Sequence, residues 1–258
     1  MTSLQVVLGV LVGFGAGVLS GLFGVGGGVI TQPAVYGLLG GTAIQAVATP
    51  LPVILPTSLM GAYTYAAVGE VSLRAARWAA GPGIAGAALG AYATRFVNAN
   101  ALLLATAILI AWTAIQVIRG REPTTPWVKG RTAGWKYAVL GFGAGTASGL
   151  LGLGGGIVMV PALTLLIGMP LKRALGTSLV LIAILVVPGT IVHAALGHVD
   201  WAIFLVLVAG VVPGARIGAR LALGARERTL RIAVGAFLLS VAVVYGIDQI
   251  VALLGGGG

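Results

Sequence analysis

One glycine-rich stretch occurs twice in this chain, and any fold must accommodate both copies. Residues 13–28 read GFGAGVLSGLFGVGGG and residues 141–156 read GFGAGTASGLLGLGGG. Aligned without a gap at an offset of 128, residues 13–40 and 141–168 are identical at 16 of 28 positions. The offset carries on: Pro33-Ala34 matches Pro161-Ala162, Thr49 matches Thr177, Gly61 matches Gly189, and Gly86 and Gly90 match Gly214 and Gly218. The chain is an internal duplication. A repeat of this length built from apolar segments is a transporter signature rather than a solenoid one.

The 258 residues are 59% hydrophobic and 8% charged, with a mean hydropathy of +1.09. That leaves too little polar surface to cover a soluble globule. An all-α polytopic membrane protein is expected. The net charge of +10, from 15 basic and 5 acidic residues, would suggest a polyanion partner in a soluble protein. Here the basic residues fall in short loops between apolar segments, which reads as positive-inside topology and not as nucleic-acid binding. No cysteine is present, so disulfides and thiolate metal sites are excluded. The first apolar stretch follows an uncharged start and reads as a retained membrane segment rather than a signal peptide.

Five apolar segments can be drawn in each half: residues 5–23, 28–40, 43–68, 73–94 and 99–118, then 137–152, 156–168, 174–196, 201–222 and 230–250. A helical crossing takes ~20 residues, so the third, fourth and fifth of each half qualify and the second is too short. Residues 1–120 form a first membrane repeat, 121–136 a basic linker, 137–253 a second repeat and 254–258 a flexible tail. The linker region carries Arg119, Arg121, Lys129, Arg131 and Lys136 against Glu122, which marks it cytoplasmic. If the first two segments of each half form a hairpin, Arg74, Arg77, Lys172, Arg173, Arg226, Arg228 and Arg231 all land on that side, with Arg95 the exception. An odd number of passages per half then makes the repeats inverted, with both termini outside, in a plasma (inner) membrane.

Gly13/Gly17/Gly21 and Gly141/Gly145/Gly149 are spaced for close helix contact. The runs Gly24/Gly26/Gly27/Gly28 and Gly152/Gly154/Gly155/Gly156 differ, since each glycine costs ~1 kcal/mol in a helix relative to Ala. Such runs break the helix, and broken backbone at membrane depth is tolerated only when buried in protein or lining a polar cavity. Short helices starting at Gly28 and Gly156 would aim their N-termini at one central point near mid-membrane, a geometry that binds an anion. Candidate ligand residues are therefore Gly26, Gly27, Gly28, Gly154, Gly155 and Gly156, with the hydroxyls of Ser20, Thr49, Ser148, Thr177 and Ser178. Pro50, Pro52 and Pro56, and Pro188 in the second half, should kink the third segments.

All five acidic residues sit in loops or at segment ends, so no intramembrane carboxylate is available to a cation. Snorkelling to the interface is the expected fate of Arg216 and Arg220, and Arg216 is the one candidate cation that could meet an anion on its way to the cytoplasm. His193 is a candidate for proton coupling. No metal and no cofactor is expected; the partners are the lipid bilayer and a small inorganic or organic anion.

The doubled pattern G-x-x-S-G-x-x-G-x-G-G-G-x-x-x-x-P, at Gly17–Pro33 and Gly145–Pro161, resembles the TauE/SafE sulfite exporter family of membrane permeases. So does A-x-x-T-S at Ala174–Ser178, from which the first half departs at Pro50. The resemblance implies export of a small sulfur-containing or organic anion such as sulfite, a sulfonate or sulfoacetate. Alternating access around a central site is the mechanism expected. An anion channel on the same scaffold is the alternative. A serine hydrolase using Ser20 or Ser148 with His193 is a remote one, because no acid is placed to orient the histidine.

Overall fold

The computed structural model describes residues 2–93, 111, 114–115, 118–119, 132–151 and 156–255, and the regular structure among them is helical. In chain order the helices are α1 Ser3–Phe23, α2 Gly28–Gly37, α3 Ala43–Ala48, α4 Pro50–Ala66 and α5 Leu73–Ala93. The second half follows with α6 Gly134–Leu151, α7 Gly156–Pro161, α8 Leu171–Ala195, α9 Trp201–Gly224 and α10 Glu227–Gly255. A π-helical turn, Ala162–Leu166, continues α7 beyond Pro161, which has no N–H to offer.

Local chemistry sets these limits. Thr2 with Gln5, and Thr42 with Gln45, form capping boxes at the starts of α1 and α3. Asp200 Oδ1 accepts from the N–H groups of Ala202 and Ile203, both at 3.0 Å, and so starts α9. The duplication is visible in the backbone itself: left-handed glycines recur at the fixed offset, Gly40 with Gly168 and Gly69 with Gly197.

Several expected boundaries need correction. The third segment of the first half is two helices meeting at Thr49, because Pro50 cannot donate back to the Ala46 carbonyl. Its counterpart α8 runs unbroken through Pro188 and starts at Leu171 rather than near 174, so Lys172 and Arg173 lie in its first turn. Helix α10 continues through Gly255, so residues 254 and 255 are helical rather than a flexible tail. The expected segment at 99–118 and the linker at 121–136 lie largely outside the described residues.

Four of the described helical stretches are long and apolar enough to cross a bilayer: Ser3–Phe23, Ile44–Ala66 (α3 and α4 together), Leu171–Ala195 and Trp201–Gly224. Helix α5 has the length, but Arg74, Arg77 and its many alanines and glycines keep it out of that set. The outward face is apolar, with Trp201, Leu205 and Leu221 on α9 and Leu89 and Tyr92 on α5 all more than half exposed. Exposure of that kind belongs in lipid.

The halves exchange partners. Helix α1 lies along α9 in the same direction: Gly13 faces Leu207, Gly17 faces Val211 and Gly21 faces Ala215, while Gly210, Gly214 and Gly218 face Val10, Phe14 and Val18. Helix α6 lies along α5 in the same way, with Gly141 against Ala79, Gly145 against Gly83 and Gly86 against Phe142. The contacts Gly13–Leu207 and Gly141–Ala79 are the same contact, displaced by 128 at both partners. A β-carbon on Gly17 or Gly145 would collide with a carbonyl oxygen of the facing helix. Between lipid tails there is no hydrophobic drive to associate, so this close approach of backbones supplies the packing.

Helices α4 and α8 form the centre and run antiparallel, with Gly61 against Leu179 and Gly189 against Leu51. Each end of this pair is pinned by the same device. Thr49 Oγ1 accepts from the Asp200 N–H at 3.0 Å, and Thr177 Oγ1 accepts from the Ser72 N–H at 2.9 Å. Two equivalent side clusters flank the pair. One contains Ala16, Val35, Val53, Ile203 and Leu207; the other holds their counterparts Ala144, Leu163, Leu181, Ala75 and Ala79.

Basic residues gather at one end of the bundle. Arg173 pairs with Glu70 at 3.4 Å and donates to the Gly69 carbonyl at 3.1 Å. Lys172 Nζ caps α9 through the Leu223 carbonyl at 2.6 Å. The ion pair is partly exposed and contributes less than about 1 kcal/mol, so its role is mainly to bring the ends of α4, α8 and α9 into register.

This packing predicts a sharp contrast within single helices. Gly15 and Gly143 have nothing within 4 Å of an added β-carbon. Gly17→Ala and Gly145→Ala should lower stability by about 1–3 kcal/mol, whereas Gly15→Ala and Gly143→Ala should be neutral or slightly stabilising. Thermal unfolding of the four purified variants in one detergent checks this.

Candidate functional site

Helix α1 ends at Gly24, whose N–H returns to the Ser20 carbonyl at 2.8 Å in a left-handed cap. Gly26 and Gly27 also have positive φ, at 83° and 82°. Three left-handed residues in four positions require glycine, and they turn the chain sharply so that α2 can start at Gly28. The whole turn, Gly24 to Gly28, is buried.

Its depth follows from what touches it. Gly26 and Gly28 face Ile54, and Gly26 and Gly156 face Ile182. Ile182 is the twelfth residue of the 25-residue α8, and Ile54 is the eleventh of the 23-residue stretch Ile44–Ala66. The turn is thus level with the middle of both central helices. The start of α7 arrives at the same place: a β-carbon on Gly156 would lie 2.7 Å from the Val25 Cα. The starts of α2 and α7 therefore meet, and α2 begins with N–H groups that no preceding helical turn can satisfy.

Three serine hydroxyls border the turn. Ser178 Oγ lies 3.0 Å from the Gly24 carbonyl and 2.8 Å from the Leu175 carbonyl, and its single proton is shared between them. Ser20 Oγ and Ser58 Oγ are buried with no hydrogen-bond partner. A β-carbon on Gly27 would come 3.6 Å from the Ser20 Cβ, and one on Gly26 would come 3.7 Å from Ser58 Oγ. Tyr65 closes one side by donating its hydroxyl to the Gly21 carbonyl at 3.0 Å. Thr31 Oγ1 turns back to the Gly27 carbonyl at 3.2 Å, leaving that hydroxyl occupied.

Of the residues marked by sequence, Ser20, Gly26, Gly27, Gly28, Gly156 and Ser178 are brought together here. Thr49 and Thr177 have their hydroxyl oxygens engaged by the Asp200 and Ser72 N–H groups. Arg216 is exposed on α9. Gly154 and Gly155 lie outside the described residues, and of Ser148 the backbone place in α6 is what is described. His193 stands at the end of α8 with its Nδ1 3.3 Å from Nδ1 of His198, one ring donating and the other accepting. Ser58 escaped the sequence reading because its counterpart at the fixed offset is Val186, so comparison of the repeats gives it no weight.

The charge character of the interior is uniform. Among the described residues every buried polar side chain outside the aromatics is a serine or threonine, and no charged side chain is buried. The centre therefore offers hydroxyl and amide donors without a formal charge. Such a set includes donors that can hold a small anion and, among the described residues, offers no buried carboxylate to a cation.

A helical chain with apolar crossing segments and broken helices meeting at half height is an integral membrane protein of transporter type. The family profile described as Sulfite exporter TauE/SafE matches residues 9–245, and the chain belongs to that family. Among its relatives, a "Probable membrane transporter protein" of Xylella fastidiosa is 29% identical over 241 residues, covering 91% of each chain. The "Probable membrane transporter protein YunE" of Bacillus subtilis is 30% identical over 237 residues, covering 81% of this chain and 86% of its own. A further probable membrane transporter, from Methanocaldococcus jannaschii, is 26% identical over 258 residues. No solved structure matches. These relatives are named as transporters rather than enzymes, and this chain is likewise a membrane transporter.

The threonine pins can be separated from the turn by substitution. Thr49→Val removes the acceptor of a partly buried N–H and should cost about 1–3 kcal/mol, while Thr49→Ser keeps the oxygen and most of the stability. Comparative thermal melts of the two variants report the difference.

Proposed function

We propose that this protein is a secondary transporter that exports a small oxyanion, such as sulfite, a sulfonate or sulfoacetate, by alternating access. The observation carrying this reading is the meeting of the Gly24–Gly28 turn with the start of α7 at the midpoint of α4 and α8, beside two buried hydroxyls without partners. A helix N-terminus and unpartnered hydroxyls at that depth suit an anion.

The transport cycle rests on an inverted relation between the halves. Support comes from the antiparallel α4 and α8, which occupy equivalent places in the two repeats, and from the paired contacts that recur at a constant offset. With the basic end cytoplasmic, Lys172, Arg173, Arg74 and Arg226 obey the positive-inside rule and both termini lie outside. Each half would then present the same threonine pin to opposite faces of the membrane. Exchange of these pins between tight and loose states, as one side bundle rocks against the central pair, would open the site to one face at a time. The His193–His198 pair is where proton coupling would act, since two imidazoles 3.3 Å apart cannot both be charged at low cost.

Proteoliposomes provide the test. Inside-out and right-side-out vesicles loaded with radiolabelled sulfite or a sulfonate should show saturable flux, lost in Gly27→Val because valine cannot adopt the φ of 82° found there. Absence of flux for every oxyanion tried, in both directions, overturns the proposal.

A further inference from the structure

We infer that, among the anions proposed above, the central site selects the singly charged (hydrogensulfite, a monosulfonate) over the doubly charged (the sulfite dianion, sulfoacetate), with Ser58 and Ser20 as the side-chain donors that recognise the charge. This rests on the anion-transport reading above. Ser58 and Ser20 are each 0% exposed, and each has a hydroxyl oxygen without a partner. An unmade hydrogen bond in a buried hydroxyl is unfavourable, and native interiors retain few of them. Two such hydroxyls bordering the same turn, one at Gly27 and the other at Gly26, mark the place where a guest completes the bonding.

The charge class follows from what surrounds that place. Ile54, Ile182, Leu175 and Val25 form the walls, and each is nearly or fully buried. The desolvation cost of an ion grows with the square of its charge, so a dianion costs about four times as much as a monoanion to bring to this depth. Recognition of a dianion ordinarily recruits arginine or lysine to offset that cost. Here the described lysines and arginines sit at helix ends or on exposed faces, and none is buried. The two hydroxyls and the amides at the start of α2 provide partial positive charges, which match one negative charge and leave a second uncompensated.

The basic residues still contribute, but at another stage. Lys172, Arg173, Arg74 and Arg226 at one end of the bundle raise the local concentration of any anion without regard to valence. Discrimination then falls to the uncharged centre.

Methanesulfonate and sulfate are similar in size and differ in charge, so the full-length protein in nanodiscs can be titrated with each at matched ionic strength by calorimetry. Methanesulfonate should bind at least about tenfold more tightly than sulfate. Ser58→Ala and Ser20→Ala should each weaken methanesulfonate by about tenfold, the loss of one charge-assisted hydrogen bond. Neither should lower the melting temperature of the ligand-free protein, because neither hydroxyl makes a bond in the empty site. Sulfate binding as tight as methanesulfonate, or unchanged methanesulfonate binding in both alanine variants, overturns the inference while leaving anion transport intact. Failure of both anions to bind, together with absence of oxyanion flux, overturns both.

Discussion

The structure depends on burying a break in the backbone where no water can reach it. Between Phe23 and Gly28 the chain abandons helical hydrogen bonding level with the middle of α4 and α8. Each amide left without a partner in such surroundings costs free energy comparable to a lost hydrogen bond. The surroundings answer in part: Gly24 N–H returns to Ser20, Tyr65 reaches the Gly21 carbonyl, and Ser178 reaches the Gly24 carbonyl. What they leave open at Ser20, Ser58 and the start of α2 is where the proposed anion site lies.

Holding that break in place falls to helix pairs of unusual closeness. The α1–α9 and α5–α6 contacts bring backbone against backbone along a glycine stripe, with no side chain between. Since these pairs join elements from different halves, neither repeat completes its own packing. Each equivalent side cluster draws on both halves, and the central pair α4–α8 is shared. A duplicated sequence has thereby produced one interwoven unit rather than two adjacent ones.

Asymmetry enters where the halves have diverged. Ser178 corresponds to Pro50, Ser58 to Val186, and Glu70 to His198. The first two differences place polar donors on one side of the centre. The third sets an ion pair, Glu70–Arg173, at one end of the bundle and an imidazole pair, His193–His198, at the other. Two ends built on the same threonine pin thus carry different side-chain chemistry.

The sequence by itself determined the helical membrane class, the duplication, the break at the first glycine run and the family. Those features follow from composition and from residue spacing, which act locally and survive without a partner. It also marked Ser20 and Ser178, because they lie beside the breaks in the chain. Only the tertiary structure decided that Ser58 joins them, that Thr49 and Thr177 are engaged by the loops at Asp200 and Ser72, and that Ile54 and Ile182 fix the depth of the turn. The reason is physical: those relations bring together residues between 26 and 156 positions apart, and in an interior without charge the identity of a binding hydroxyl depends on whether some distant carbonyl has already claimed it.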